Sequence, residues 1–285
     1  AGCVMLSDSD RSIETTIIAR HAMEYASMYN LPIVCFCEDK KLAKDGVMNE
    51  GYNSTILGLR GIPRYSESIR VLREVELAKL TGARIHITHV SCKESVDIIK
   101  RAKKEKVTAG VCPQHFSLTD DAVKGYDTST KVNPPLRTAE DIHRIKKGLK
   151  DGTIDVIASG HYPIVENEKD VEFDAAPFGM IALETTLSLA ITHLIDKEVL
   201  DWKSLINKMS IYPARIVGAP EKAIVEGMPA DIVVIDPSRE WIYKKEDIVS
   251  KSTNSPFIGT KMKGLVTFVV SNNTVLVGKE LLRNE

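Results

Sequence analysis

Short apolar runs alternate with amphipathic stretches from the start of the chain to about Gly218. Each apolar run is rich in β-branched residues and closes on polar or turn-forming ones, which is typical of buried parallel strands. Five such strands are predicted, at Cys3–Ser7, Ile33–Cys37, Ile85–Val90, Val107–Cys112 and in the run that starts at Ile154.

Between these runs, apolar side chains recur every three to four positions, which predicts helices. The predicted helices are Ser12–Tyr29, Ser66–Leu80, Ser95–Lys104, Glu140–Leu149, Gly179–Leu194 and Trp202–Met209. Gly82 and Gly152 follow two of them at the position where a left-handed residue ends a helix. Strands that alternate with helices indicate right-handed βαβ units, so we expect an α/β fold with a parallel sheet.

The pattern changes in two places. Lys40–Pro63 contains four glycines and shows no clear period, so a long loop is predicted there. After Gly218 the apolar runs become short and predict a small antiparallel sheet, with a hairpin turn at Ser271-Asn272-Asn273. Its strands are expected at Ala230–Ile235, Arg239–Tyr243, Leu265–Val270 and Thr274–Val277. We therefore divide the chain into two units, residues 1–217 and 218–285.

Composition excludes several classes of protein. The 38 basic and 39 acidic residues among 285 give a net charge of −1, so we expect no nucleic-acid partner. The five scattered cysteines favour reduced thiols in the cytoplasm. The sequence contains no apolar run near the ~18 residues of a membrane span. Because the chain opens on Ala1 and within a predicted strand, we expect it to be a piece of a longer polypeptide.

Three strings of residues resemble the type I dihydroorotases of the amidohydrolase superfamily. They are Ile87-Thr88-His89-Val90-Ser91, Lys131-Val132-Asn133-Pro134-Pro135-Leu136-Arg137 and Asp155-Val156-Ile157-Ala158. The match continues through Pro177-Phe178-Gly179 to the tail. The resemblance implies a (β/α)₈ TIM-type barrel with a small C-terminal β-sandwich appendage. This chain would hold about five of the barrel strands, the fourth to the eighth.

The resemblance also implies an activity in pyrimidine biosynthesis, the reversible cyclisation of N-carbamoyl-L-aspartate to dihydroorotate, with zinc as the family cofactor. His89 matches a metal ligand of the family, and the alternative is a histidine at the barrel mouth that is hydrogen-bonded to a neighbour. Asn133 matches a residue that contacts the pyrimidine ring, and Pro177 and Gly179 match a substrate-binding loop. The alternative for Asn133 is a rigid turn before two prolines.

Other family site positions hold residues that do not suit the role. Phe36 replaces a histidine ligand, Gly160 replaces the catalytic aspartate, and Ile164 replaces a substrate-binding histidine. The bridging aspartate falls on Ser9, unless a one-residue shift brings in Asp8 or Asp10. The family's first-strand His-x-His pair has no counterpart, and catalytic zinc needs about three protein ligands.

Two substitutes for the missing groups can be considered. Cys35 and Cys37 could form a thiolate site with Cys112 and His89. Strand alternation turns Cys35 and Cys37 toward the helices, however, and buried Cys-x-Cys pairs in strands usually belong to the core. His161 could replace the missing base, but a structural role explains it without a new function.

We therefore assign no catalytic residue and expect no cofactor in this chain. The main prediction is a degenerate dihydroorotase-like protein without turnover, acting as a structural or regulatory partner of aspartate transcarbamoylase in a homo-oligomer or hetero-complex. The alternative is an active zinc dihydroorotase, in which an upstream segment supplies the missing histidines and another group replaces the aspartate.

Overall fold

The computed structural model describes residues 2–9, 11–103, 106–220, 222–271 and 274–277. Within these ranges, no helix has both the length and the apolar character needed to cross a membrane.

Five parallel strands form the main sheet, and the chain order is kept from one edge to the other. The strands are β1 (Leu6–Ser7), β2 (Ile33–Phe36), β5 (Ile85–Thr88), β6 (Val107–Val111) and β7 (Val156–Ile157). The register places Ile33 opposite Leu6 and Ile85, and Ile85 opposite Val107. The predicted parallel α/β arrangement is confirmed, whereas closure into an eight-stranded barrel stays a prediction.

Helices connect these strands and cover the sheet. The helices before β7 are α1 (Thr16–Met28), α2 (Tyr52–Leu57), α3 (Tyr65–Thr81), α4 (Lys93–Arg101), α5 (Gln114–Ser117) and α6 (Ala139–Asp151). Those after β7 are α7 (Glu166–Lys169), α8 (Thr186–Ala190), α9 (Trp202–Ile206) and α10 (Tyr212–Val217), with single π-helical turns at Ile191–Ile195 and Asn207–Ile211. Short 3₁₀ turns lie at Asp120–Gly125, Thr128–Thr130 and Lys245–Asp247.

Local sequence explains where several helices begin and end. Thr138 begins α6, because its hydroxyl and backbone N–H both donate to the Asp141 carboxylate, at 2.6 and 3.1 Å. Gly152 ends the same helix in the left-handed region, with φ of 82°. Gly82 ends α3 in the same left-handed conformation, with φ of 67°. Both glycine stops are as predicted.

The main core lies between the sheet and the helices that cover it. Ile85 and Ile87 of β5 are buried there with Val75 of α3, Ile99 of α4 and Leu149 of α6. Burial of one large aliphatic side chain contributes about 1.5–3 kcal/mol, so this interface accounts for much of the stability.

The segment Lys40–Pro63 is structured, contrary to the prediction of a loop. It contains β3 (Met48–Asn49), α2 and β4 (Gly61–Ile62), and the two strands pair in parallel. A Cβ on Gly61 would lie 2.4 Å from the Cα of Glu50. Gly61 thus allows close contact between two backbones, and this is why the segment forms paired strands although its glycines predict a loop.

The helix predicted at Gly179–Leu194 begins only at Thr186. Backbone groups of the preceding residues bond to other segments instead, since Gly179 N–H donates to Lys131 O and Ile181 N–H donates to Asn254 O. Tertiary hydrogen bonds therefore override the helical periodicity of this stretch.

A second sheet follows, formed by β8 (Ile232–Ile242), β9 (Lys261–Ser271) and β10 (Thr274–Val277), all antiparallel. The two strands predicted at 230–235 and 239–243 are one strand with two register shifts. The predicted hairpin is present, but Asn272 and Asn273 of its turn lie outside the described residues. The division at residues 217 and 218 stays a prediction.

A buried polar network lies beneath the carboxyl end of the main sheet. Arg137 is 2% exposed and donates to Ser91 Oγ at 3.1 Å, Asn49 Oδ1 at 3.0 Å and Ile62 O at 2.8 Å. Its guanidinium also lies 4.0 Å from the carboxylate of Glu67, which accepts hydrogen bonds from the backbone N–H and the hydroxyl of Ser91. The network joins four separate segments through one cation.

Replacement of Arg137 should therefore destabilise the whole fold. Arg137→Met leaves the Glu67 carboxylate buried without its cation, a loss of about 3–5 kcal/mol for such pairs. Urea unfolding measures the change. Arg20→Met is the control, because its pair with Glu24 is exposed and such pairs contribute only about 0.3–0.5 kcal/mol. Equal effects of the two substitutions would contradict the role given to the network.

Candidate active site

The carboxyl ends of the parallel strands meet at one edge of the main sheet. Phe36 ends β2, His89 follows β5, Cys112 follows β6, and Gly160 lies shortly after β7. Enzymes built on α/β barrels carry their active sites at this edge. The sequence-predicted positions are therefore brought together on one side of the molecule.

His89 is positioned by its backbone and by Phe36. It adopts a positive φ of 55°, which is uncommon outside glycine and occurs often at functional sites. Its ring lies edge-to-face against Phe36, with the ring centroids 6.1 Å apart and an interplanar angle of 77°. Burial lowers the pKa of His89, so the neutral imidazole is favoured. No hydrogen-bond partner of this ring occurs in the described part of the chain.

Gly160 is closely surrounded by its neighbours. It has φ of 61°, and a Cβ built on it would lie 2.7 Å from Cys112 Sγ and 3.1 Å from Gln114 Nε2. Cys112 is fully buried, and burial raises the pKa of its thiol. The space that an acidic side chain would need is filled by Cys112.

Cys35 and Cys37 do not face this edge. Both side chains are buried in the main core with residues of the covering helices, such as Met23 and Val71. Burial raises the pKa of both thiols well above its ordinary value, so thiolate ligands are disfavoured. Their environment is the apolar one that strand alternation indicates.

His161 fixes the backbone before α8 through two hydrogen bonds. Its Nδ1 accepts from the backbone N–H groups of Ala182 at 3.1 Å and Leu183 at 3.3 Å. An Nδ1 that accepts carries no proton, so the proton of the neutral ring lies on Nε2. The structural role considered for His161 is thus the one that its contacts show.

His115 is buried and fixed by one hydrogen bond. Its Nε2 donates to Pro134 O at 2.9 Å, while Nδ1 has no partner within the described residues. Burial lowers the pKa of His115 to about 3, so the ring is neutral at physiological pH. This contact links α5 to the segment that carries Asn133.

Among the described residues that follow β1, the one carboxylate near this edge, Asp8, is already hydrogen-bonded. Asp8 accepts from the backbone N–H of Ile13 at 3.1 Å and of Phe36 at 3.4 Å, which ties it to the start of the chain and to β2. Ser9 is exposed with φ of 62°. Asp10 lies outside the described residues.

A zinc ion does not fit the donor set described. Over the described ranges, no group of three His, Cys, Asp or Glu side chains comes together, and a catalytic zinc needs about three. Phe36 and Gly160 provide no donor atom, and His115 Nε2 is bonded to a carbonyl. His89 is the one predicted ligand at this edge whose ring nitrogens bond to no other described residue.

A cavity of about 730 Å³ opens beside this edge. Its residues come from the ends of β2 and β4, from the segment between them, and from two later loops. They are Glu38, Lys40, Ala43, Asp45, Gly46, Val47, Gly58, Leu59, Arg60, Ile62, Lys131, Asn133, Asp174, Ala176 and Phe178. The volume is in the ~300–1,000 Å³ range of small-molecule sites.

Asn133 lines the cavity and is oriented by Glu38. Its Nδ2 donates to Glu38 Oε1 at 2.9 Å. Because a carboxylate only accepts, the amide nitrogen must face Glu38, and Oδ1 is left to accept from another group. Asn133 is identified from the sequence, whereas Glu38, which directly follows the predicted strand Ile33–Cys37, is not.

Pro177 and Gly179 do not line the cavity, whereas Phe178 between them does. Pro177 O accepts from Lys169 Nζ at 2.8 Å, and Gly179 N–H donates to Lys131 O at 2.8 Å. These two backbone groups are therefore occupied within the protein. Their predicted role in substrate binding stays untested.

The fold resembles those of two solved enzymes. L-hydantoinase (dihydropyrimidinase) from Arthrobacter aurescens superposes with a TM-score of 0.86 at 24% identity, covering 98% of this chain and 65% of that one. Dihydropyrimidinase from Brevibacillus agri gives 0.84 at 21% identity, covering 98% and 64%. These similarities define the class as an α/β fold like that of the TIM-barrel hydantoinases.

Sequence comparison defines the family. Residues 1–95 match the dihydro-orotase-like family. Dihydroorotase from Endomicrobium trichonymphae is 51% identical over 279 residues, which cover 96% of this chain and 66% of that protein. Dihydroorotase from Pelotomaculum thermopropionicum is 46% identical over 285 residues, covering 99% and 67%. The chain belongs to the dihydroorotase family, and it spans about two thirds of the length of these relatives.

The main prediction, a degenerate dihydroorotase-like protein without turnover, is wrong. Relatives that are 43–51% identical over nearly the whole chain are named dihydroorotases, which favours the alternative of an active enzyme. That prediction depended on a few positions at the strand ends. The identity is measured over nearly the whole chain, which a few positions do not represent.

Substitution of Gly160 should separate backbone strain from crowding. Gly160→Ala places a side chain on a residue in the left-handed region, which costs about 1–2 kcal/mol of stability. The added Cβ would also lie too close to Cys112 Sγ. Gly152→Ala is the matched control, since Gly152 has φ of 82° but no atom within 4 Å of a built Cβ. Thermal or urea unfolding should show the larger loss for Gly160→Ala, and adding Cys112→Ala should recover the difference. Equal losses for the two glycines would show that the site is not crowded.

The buried His115 should make the stability of the folded protein decrease as the pH falls. Its pKa is about 3 in the folded protein and ~6.5 in the unfolded chain, so between these values the unfolded state binds the extra proton. Stability is therefore complete above about pH 6.5 and falls by up to ~1.4 kcal/mol per pH unit on acidification.

Urea unfolding between pH 4 and 7 should show a shallower slope for His115→Gln than for the parent protein. His86, with its pKa lowered by burial to about 4, contributes in the same window and is left in place. The exposed His143→Gln is the control and should leave the slope unchanged. An unchanged slope in His115→Gln would refute the assignment.

Proposed function

We propose that this protein is a dihydroorotase, which reversibly opens the cyclic amide of dihydroorotate to N-carbamoyl-L-aspartate in pyrimidine biosynthesis. The observation that carries the proposal is the 43–51% identity, over nearly the whole chain, to proteins named dihydroorotase. The chain spans about two thirds of their length, so the activity of the whole enzyme is part of the proposal.

The cavity has the chemistry that a cyclic amide requires. Asn133 presents Oδ1 as an acceptor, because Glu38 holds its amide nitrogen. A ring N–H could donate to that oxygen, which would set the orientation of the ring. Phe178 lines the same cavity and supplies an aromatic surface. An acceptor fixed by a second side chain is preorganised, so less ordering is needed when the ring binds.

The family depends on zinc, but the described residues of this chain do not form a zinc site. We therefore derive no step of the reaction through a metal. The residues of this chain bind and orient the ring, and Phe36 against His89 closes part of the edge with apolar surface. Association with aspartate transcarbamoylase and a cytoplasmic location remain predictions.

The test is hydrolysis of dihydroorotate by the full-length protein, assayed in both directions. Asn133→Ala should lower kcat/KM about 10- to 100-fold, because one buried hydrogen bond to the ring is lost, ~1–3 kcal/mol. The exposed Asn167→Ala is the control and should retain full activity.

Metal content is measured in the same preparation, before and after dialysis against a chelator. Turnover that disappears with the metal and returns with zinc would show that the ligands come from outside the described residues. Absence of turnover in both directions, with zinc supplied, would refute the proposed function.

A further inference from the structure

The helix α1 is apolar on its outward face as well as on the face that meets the core. Ala19, Met23 and Ala26 are buried in the main core. The outward face carries large apolar side chains, each 54–74% exposed: Ile17, Ile18, Tyr25, Met28 and, directly after the helix, Tyr29. A surface helix normally turns polar side chains to water, and a helix that is apolar all round is typically covered on both sides.

The neighbouring helix α3 adds a second exposed apolar stripe. Its members recur at spacings that place them on one helix face, and each is 47–64% exposed: Tyr65, Ile69, Leu72 and Leu80. Val71 and Val75 of the opposite face are buried in the main core. The stripe of α3 therefore points away from the sheet, like that of α1.

The two stripes form one surface of nine side chains, which we call the α1–α3 face. The helices α1 and α3 pack side by side. Arg73 of α3 donates to Ile13 O at 2.7 Å and to Glu14 O at 3.0 Å, just before α1 begins. Each helix returns from the carboxyl end of one parallel strand to the amino end of the next, so the two run in the same direction.

The α1–α3 face is large enough for a stable protein interface. With ~150–250 Å² for a whole large side chain, the nine exposed fractions amount to roughly 1,000 Å². A dimer of standard size buries about 800 Å² on each partner. The largest apolar patch of a typical monomer is only ~300–600 Å². The exposed area thus matches what one partner contributes to a dimer.

The charges along the face favour a second copy of this chain as the partner. Three ion pairs lie on the two helices, each between residues of the same helix: Arg20 with Glu24, Arg73 with Glu74, and Lys79 with Glu76. These pairs cancel within each copy, so the face carries no net charge to attract a strongly acidic or basic partner. The net charge of the chain is −1, so two copies repel each other little. A two-fold interface sets one patch against itself and needs no charge difference.

We propose that the α1–α3 face is the interface of a homodimer, in which it packs against the same face of a second copy about a two-fold axis. Apolar side chains of α1 and α3 meet those of the partner, and the ion pairs lie among and around them. The inference goes beyond the proposed function and does not depend on it, because none of the nine side chains lines the cavity.

Sedimentation velocity of the full-length protein, from about 1 to 100 μM, tests the proposal. The parent protein should be a dimer. Tyr25→Asp should raise the dissociation constant at least ~100-fold, because a two-fold interface contains the substituted residue twice and each copy places a charge among apolar groups. Leu72→Asp, on α3, should have the same effect.

Ile206→Asp is the matched control. Ile206 is 51% exposed on α9 and lies outside the α1–α3 face, so this variant should stay a dimer. All three substituted side chains are exposed, so the far-UV circular dichroism should not change. The Tm of the parent protein should rise with protein concentration, whereas that of Tyr25→Asp should not. This readout and Leu72→Asp keep the test decisive if Tyr25→Asp does not fold.

Three results would overturn the inference. The first is a parent protein that is monomeric at the highest concentration, in which case another segment or a different partner covers the face. The second is a dimer that persists in both Tyr25→Asp and Leu72→Asp. The third is dissociation in Ile206→Asp to the same extent as in the two variants of the face.

Discussion

The arrangement of the candidate site depends on one buried cation, the guanidinium of Arg137. It bonds to Asn49 and Ile62 of the short paired strands and to Ser91 in the loop after β5, close to Glu67 of α3. The three residues that accept from Arg137 lie 46 to 88 positions from it in the sequence, and they do so inside the protein, where water cannot substitute. The network fixes the loop that begins with His89 relative to the segment that contains Asn133.

Side chains at the carboxyl-end edge of the main sheet are closely packed. Phe36 packs against the ring of His89, and Cys112 fills the space next to Gly160. Each of these pairs is a close-packed contact between residues from different strands. A single substitution that introduces a polar side chain would therefore meet a neighbour already in place, because protein interiors contain few voids.

The buried charges of this protein have a different environment from the charges on its surface. The exposed pairs of this protein, such as Arg20 with Glu24, are screened by water and contribute little. Lys131 and Lys169 donate to backbone carbonyl oxygens instead, and Lys131 also lies near the ring of Phe178. Carbonyl groups accept the hydrogen bonds but do not neutralise the charge. The dielectric environment thus gives these two lysines properties that the same residue type does not have at the surface.

The sequence by itself determined the alternation of strands and helices, the glycine stops at Gly82 and Gly152, and the family strings that contain His89 and Asn133. These features follow from local periodicity and backbone freedom, which neighbouring residues set. Tertiary structure decided the contact between Glu38 and Asn133, 95 positions apart, and the burial of Lys131 beside the cavity. It also decided that the glycine-rich segment Lys40–Pro63 contains two paired strands, because Arg137, 75 to 88 positions away, bonds to both of them. Long-range contacts have no local period, so the pattern of apolar and polar positions does not reveal them.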